Sequence, residues 1–174
     1  SIPVKSKNIL TTLSALLMVK GNDRIRQIYS DRAPEFVLAC RLIACNHCPS
    51  LPGAPRTTGL IGHANQRIIN GSRSLMVQAG LPACFWPLAH NNYNLMHNIT
   101  EPTPGESPWL KRHAMPFLGK VFPFGSGVWD KPSPTQHVQS KAEPRLRYGI
   151  FVGHELEAGG QWRGNYWVVD LDAF

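Results

Sequence analysis

The chain has 174 residues, 43% of them hydrophobic, and carries 18 Lys+Arg against 11 Asp+Glu for a formal net charge of +7. That length supports one ordinary domain, or one and a half small ones, with a real core; the charge suits an anionic partner, nucleic acid being the commonest, beside the plainer reading of a merely basic soluble protein. No apolar run approaches the ~18 residues of a membrane-spanning helix, no charged-then-apolar leader precedes the first helix, and four irregularly spaced cysteines do not make a secreted disulfide framework, so a reducing intracellular setting is expected.

Fifteen prolines and fifteen glycines favour short elements and many turns. The start at Ser1, without an initiator Met, suggests a segment of a longer protein. Ile9, Leu10, Leu13, Leu16 and Leu17 recur at helical spacing and predict an amphipathic helix over residues 6–19, stopped by Gly21-Asn22-Asp23. Residues 24–30, with Ile25, Ile28 and Tyr29, read as a strand ending at Asp31. Pro34-Glu35-Phe36 opens a second short helix, because proline suits the first turn and an acid suits its positive end. A short strand is expected at 42–45 and a Pro/Gly loop at 48–58.

From about Leu60 a helical stripe of Ile61, Ala64, Ile68, Leu75 and Ala79 appears, with Ser72 among them, ended by Gly80-Leu81-Pro82. Phe85, Leu88, Ala89, Met96 and Ile99 mark the apolar face of the next helix. Residues 101–108 are rich in proline and acid, and composition changes after them: 121–129, 148–153 and 166–169 are aromatic and β-branched. The predicted organisation is a helix-containing core at 1–100, a Pro-rich linker at 101–114 and a β-rich module at 115–174.

Two stretches carry the chemistry. The first is Tyr29-Ser30-Asp31-Arg32-Ala33-Pro34-Glu35-Phe36; the second begins at Ser50-Leu51-Pro52-Gly53-Ala54-Pro55 and runs through Arg56-Thr57-Thr58-Gly59 to Gly62. Together they resemble the catalytic centre of copia-type retrotransposon integrases. There an aspartate closes a strand in an S-D-x-x-x-E-F setting, and S-x-P-x-x-P-x-x-x-G-x-x-E delivers a glutamate on a helix. The resemblance continues through Asn65-Gln66-Arg67 and Arg73-Ser74-Leu75 to Ala79-Gly80-Leu81-Pro82-Ala83-Cys84-Phe85-Trp86. It resumes at Pro144-Arg145-Leu146-Arg147-Tyr148-Gly149-Ile150-Phe151-Val152-Gly153, similar to the family's P-K-x-R-x-x-I-F-V-G-Y with His154 in the tyrosine's place. Ala33-Pro34, where glycine is common, and Arg56-Thr57-Thr58, where amides are usual, depart from the pattern.

The resemblance implies an α/β fold: an incomplete ribonuclease-H-like mixed sheet with flanking helices, followed by a small β-rich module. It implies DNA as partner, no membrane, a homo-oligomer and a nuclear site of action. It also implies Mg²⁺ or Mn²⁺ chemistry, in which two ions held by clustered carboxylates activate the attacking oxygen and stabilise the leaving one. Asp31 takes the role of one metal ligand. The glutamate position is Gly62, and no Asp or Glu occurs between Glu35 and Glu101 to replace it by a register shift. The neighbouring His63 is a poor Mg²⁺ partner and would point about 100° round the helix. The family's first aspartate belongs to a strand upstream of the first helix. Of three expected acids one remains, which implies an inactive centre with functional metal binding lost.

Arg67 and Arg73 lie on the helix that faces DNA in the family, and arginine suits phosphate bidentately; a solvated helix face is the alternative. Arg56, in the proline loop, and Arg145 and Arg147, beside Lys141, Lys131 and Tyr148, are the other candidate DNA contacts. Phe122, Phe124, Trp129, Phe151, Trp162, Tyr166 and Trp167 serve either such a surface or, for most of them, the core of the β-rich module. Cys40, Cys45, His47 and Cys48 crowd into nine residues, whereas a structural zinc site needs its second ligand pair some distance away, so incidental thiols are expected. Three functional readings follow: an integrase-derived segment without strand-transfer activity, a domesticated non-catalytic DNA-binding or scaffolding protein, and a recombinase completed by acids from elsewhere.

Overall fold

The computed structural model describes residues 2, 6–50, 55–100, 106–131, 141–142 and 144–171, without the side chains of 55–58 and 60. It is a mixed α/β structure with two small sheets. The chain divides into two units, one of residues 1–69 and 156–163, the other of 70–155 and 164–174.

The first unit opens with α1 (Ile9–Lys20). Its start is fixed by Asn8, whose side chain accepts from the Thr11 amide at 2.9 Å while the Asn8 amide donates to the Thr11 hydroxyl, a reciprocal cap on two orphan donors. Gly21 ends it at a φ of 53°, and a Cβ there would meet the Gly159 backbone at 2.5 Å, so only glycine permits this approach. The strand expected over 24–30 is β1 (Gln27–Ser30). After the turn at Asp31 comes α2 (Pro34–Leu42), with Pro34 at its start, Glu35 in its first turn and Arg41 in its last, as the charges of a helix dipole favour. Ala39 and Cys40, both fully buried, face inward from α2.

The strand expected at 42–45 is instead the end of α2 and a reversal in which Ala44 takes a left-handed φ of 54°. The strand itself is β2 (Asn46–Pro49). It runs parallel to β1, with Gln27 opposite Asn46, Ile28 opposite His47, Tyr29 opposite Cys48 and Ser30 opposite Pro49. Parallel pairing requires a crossover, and α2 supplies it. Helix α3 (Pro55–Ala79) then starts five residues ahead of the expected Leu60, so part of the anticipated loop is helical. Residues 51–54 of that loop lie outside the described residues.

In the second unit α3 ends at Gly80, φ 65°, and a short 3₁₀ turn leads into α4 (Trp86–Ile99). Of the linker expected at 101–114, residues 101–105 lie outside the described residues and Pro108–His113 forms α5, capped by the Ser107 hydroxyl. Strands β3 (Gly127–Asp130), β4 (Arg147–Leu156) and β5 (Trp162–Asp170) form a three-stranded sheet with β4 in the centre. β3 pairs with β4 antiparallel, Trp129 opposite Tyr148 and Asp130 opposite Arg147. The core joins Ala89 of α4, Phe124 and Val152 of β4, with Leu75, Met76 and Ala79 of α3 packed against them. This is where burial supplies the driving force. Buried Ser72 on the same helix sets its hydroxyl 3.4 Å from His90 Nδ1.

Candidate metal centre and nucleic-acid interface

Asp31 is the residue that follows β1, exposed at the carboxyl end of that strand. Its Oδ1 accepts from the Ala33 amide at 3.4 Å, a local turn that hands the chain to α2. Glu35, half-buried, stands in the first turn of α2, a position its charge explains without chemistry. Gly62 lies on the exposed side of α3, and a Cβ built on it meets nothing within 4 Å. The position could therefore take a longer side chain, and the residue there supplies no ligand. Among the described residues no three His, Cys, Asp or Glu side chains gather to hold a metal ion. A single exposed carboxylate is not a donor set for Mg²⁺, which asks for carboxylates converging from separate elements.

The Cys/His cluster is divided by the pleat of β2. His47 Nε2 sits 2.8 Å from the Ser30 hydroxyl on one face, while Gln27 Nε2 donates to Cys48 Sγ at 2.8 Å on the other. Cys40 and Cys45 share the His47 side, where all three line one cleft. Burial first, and then Cys45 alongside, push the Cys40 thiol up to about 11, so it stays a neutral thiol.

Arg67 and Arg73 are both exposed on α3. Six residues apart, they sit about 120° apart round the helix axis, so they do not share a face; Arg73 falls within about 20° of Gly62. The Arg56 side chain lies outside the described residues. Arg145 is exposed, whereas Arg147 Nη1 reaches Asp170 Oδ2 at 3.1 Å and ties β4 to β5. The aromatic residues separate as well. Phe124 and Phe151 are buried, but Trp129 is 68% exposed and Tyr148 45%. Those two rings pack at 5.1 Å across β3 and β4. Of the predicted basic and aromatic residues of this unit, Trp129, Tyr148, Trp167, Arg145, Lys131 and Lys141 are exposed, with Arg147 committed to its neighbour.

His154, whose role the sequence left open, is buried against Phe117, Phe151 and Tyr166, at centroid distances of 5.5, 5.3 and 5.0 Å. Its Nε2 donates to the Lys120 carbonyl at 3.0 Å. Burial lowers its pKa, and that hydrogen bond opposes the shift to a lesser degree.

No protein-family model matches the chain. It is 28% identical over 157 residues to the retrovirus-related Pol polyprotein from transposon RE1 of Arabidopsis thaliana, covering 86% of this chain and 10% of that protein. To the corresponding polyprotein from transposon RE2 of the same plant it is 26% identical over 159 residues, covering 86% of this chain and 11% of that protein. The chain thus spans about a tenth of the length of these relatives. Among solved structures, a chain of the simian T-cell lymphotropic virus intasome in complex with PP2A regulatory subunit B56 gamma is similar at 19% identity and a TM-score of 0.49, covering 89% of this chain and 58% of that one. No helix among the described residues is long and apolar enough to cross a membrane. Over most of its length the chain is homologous to these two copia-type Pol polyproteins of Arabidopsis thaliana.

Proposed function

We propose that this integrase-derived chain binds DNA and does not cut or join it. Asp31 is the remnant of a metal-ligating aspartate, and Gly62 stands where the partner glutamate would project from α3. The observation that carries the inactive reading is Gly62 itself: an exposed helical position with open space, no carboxylate, and no acid between Glu35 and Glu101 to stand in for it. The parallel β1–α2–β2 unit, with an aspartate at the end of its first strand, supports a ribonuclease-H-like core over 1–100. The three-stranded sheet supports a β-rich module over 115–174, one that packs on α3 and α4 through the core shared by Ala89, Phe124 and Val152. In this reading the Mg²⁺ or Mn²⁺ of the family has no functional site here, the chain self-associates, and it acts in the nucleus.

DNA is held by phosphate contacts from Arg67, Arg73 and Arg145, with Arg56 as a further contact and Arg147 one only where its pair with Asp170 opens, and by stacking on the exposed Trp129–Tyr148 pair. Charge-driven contacts of this kind are independent of sequence, and the net charge of +7 favours them. The test is incubation with blunt duplex DNA and Mn²⁺, resolved on a denaturing gel. No nicked or joined strand is expected; product that disappears in Asp31→Asn would overturn the inactive reading.

A further inference from the structure

We propose that the cleft between α2 and β2 is a binding site for a phosphate monoester, the terminal phosphate of a nucleotide or of a nucleic-acid strand. It goes beyond the DNA-binding reading and does not rest on it, since none of the arginines assigned to DNA above lines this cleft. The cleft is an open concavity of about 430 Å³, a volume within the range of small-ligand sites. One wall is the stripe of α2 that carries Cys40 and Arg41; the other is the side of β2 from which His47 projects, with Cys45 just before the strand. Arg32, from the connection between β1 and α2, and Asn46 complete the polar lining.

Two arginines, a histidine and an asparagine therefore line one concavity, and no Asp or Glu is among its lining residues. Neither Arg32 nor Arg41 is ion-paired among the described residues. The hydrogen bond between Ser30 and His47 Nε2 fixes the ring. The fully buried Cys40 remains a neutral thiol and so cancels none of the positive charge. Two guanidinium forks beside a cavity match a phosphate dianion in charge, and each fork can donate two parallel hydrogen bonds to adjacent oxygens. A phosphodiester, with one negative charge, uses only half of that complement.

The test is calorimetric titration of the whole chain at fixed ionic strength with deoxyadenosine monophosphate, deoxyadenosine and inorganic phosphate. A short single-stranded oligonucleotide with and without a 5′-phosphate completes the set. Saturable one-to-one binding of the monophosphate is expected, with deoxyadenosine weaker by about tenfold or more. Arg32→Ala and Arg41→Ala should each weaken it about tenfold or more, the low end for a hydrogen bond to a charged group. Both side chains are exposed, so these variants should keep the parent melting temperature, and Arg145→Ala should leave the titration unchanged. Phosphate binding as tightly as the monophosphate would identify a free-ion site; a 5′-phosphorylated strand binding about tenfold tighter than its 5′-hydroxyl twin would identify a strand end. Either supports the site. Absence of saturable monophosphate binding, or undiminished binding when both arginines are replaced, would overturn it. Because duplex binding is read separately and through other arginines, loss of one result leaves the other standing.

Discussion

Replacing Gly62 separates helix energetics from metal chemistry at the position on which the inactive reading turns. The residue is exposed within α3, and nothing lies within 4 Å of a Cβ built there. Gly62→Ala should therefore gain the helix-propensity difference without a clash, about 1 kcal/mol. For a chain of this size that raises the melting temperature by about 2–4 °C. Gly62→Glu should keep roughly 0.6 kcal/mol of that gain, and it adds a carboxylate. If positions 31 and 62 face one another, Mn²⁺ should then stabilise Gly62→Glu and not Gly62→Ala. At a metal concentration ten times the dissociation constant, the linkage amounts to about 1.4 kcal/mol. The assay is thermal unfolding of the parent, Gly62→Ala, Gly62→Glu and Gly62→Glu/Asp31→Asn, each with and without Mn²⁺. A lower melting temperature for Gly62→Ala would refute the open helical site. A Mn²⁺ response in Gly62→Glu no larger than the parent's, or one that survives Asp31→Asn, would refute the pairing of positions 31 and 62.

Gly71, on the same helix, should behave oppositely: a Cβ there runs into the Tyr93 ring, so Gly71→Ala should cost about 1–3 kcal/mol by overpacking. An unchanged urea midpoint would contradict that. For His154, burial lowers the folded-state pKa below the ordinary value of 6.5, so the unfolded chain binds the proton more readily. Its contribution to stability is then complete above pH 6.5 and is lost as pH falls from there through the lowered folded-state pKa. Urea midpoints measured from pH 7.5 to 5 should decline in the parent and decline less in His154→Tyr; parallel curves would contradict the assignment. Arg147→Ala should cost no more than about 1 kcal/mol, since its partner Asp170 and the arginine itself are each about a third exposed. It should also reduce duplex affinity less than Arg145→Ala, which is expected to lower the salt slope by about one. Equal effects of the two on the slope would show that the Asp170 pair opens for DNA.

Capping residues and apolar periodicity made the helices legible: Leu10 to Leu17 announced α1, Pro34-Glu35 the start of α2, and Gly80-Leu81-Pro82 the end of α3. β2 was not legible, because Asn46-His47-Cys48-Pro49 has little strand propensity of its own. It is a strand because β1 offers a parallel edge after the α2 crossover. Its displacement from the expected 42–45 follows from Ala44, whose positive φ no sequence pattern signals. Of the proposed site, Asp31 and Gly62 are singled out only by resemblance, since an aspartate after a strand is otherwise an ordinary turn residue. Arg147 read as a free basic residue because its partner, Asp170, lies 23 positions on. The α2–β2 cleft gathers Arg32 from a connection, Arg41 from a helix and His47 from a strand, and their spacing forms no motif.

Whether the chain holds DNA is decided by the fluorescence anisotropy of labelled duplex DNA titrated with it from low to moderate salt. In the proposed reading the exposed Arg67, Arg73 and Arg145, with neighbouring lysines, make about three to five phosphate contacts, so log affinity should fall linearly with log salt at a slope of about −3 to −5. Saturable binding with such a slope, and a clear loss when Arg73 and Arg145 are replaced together, is the expected result. No binding even at low salt, or binding whose strength ignores salt, would contradict a retained DNA surface.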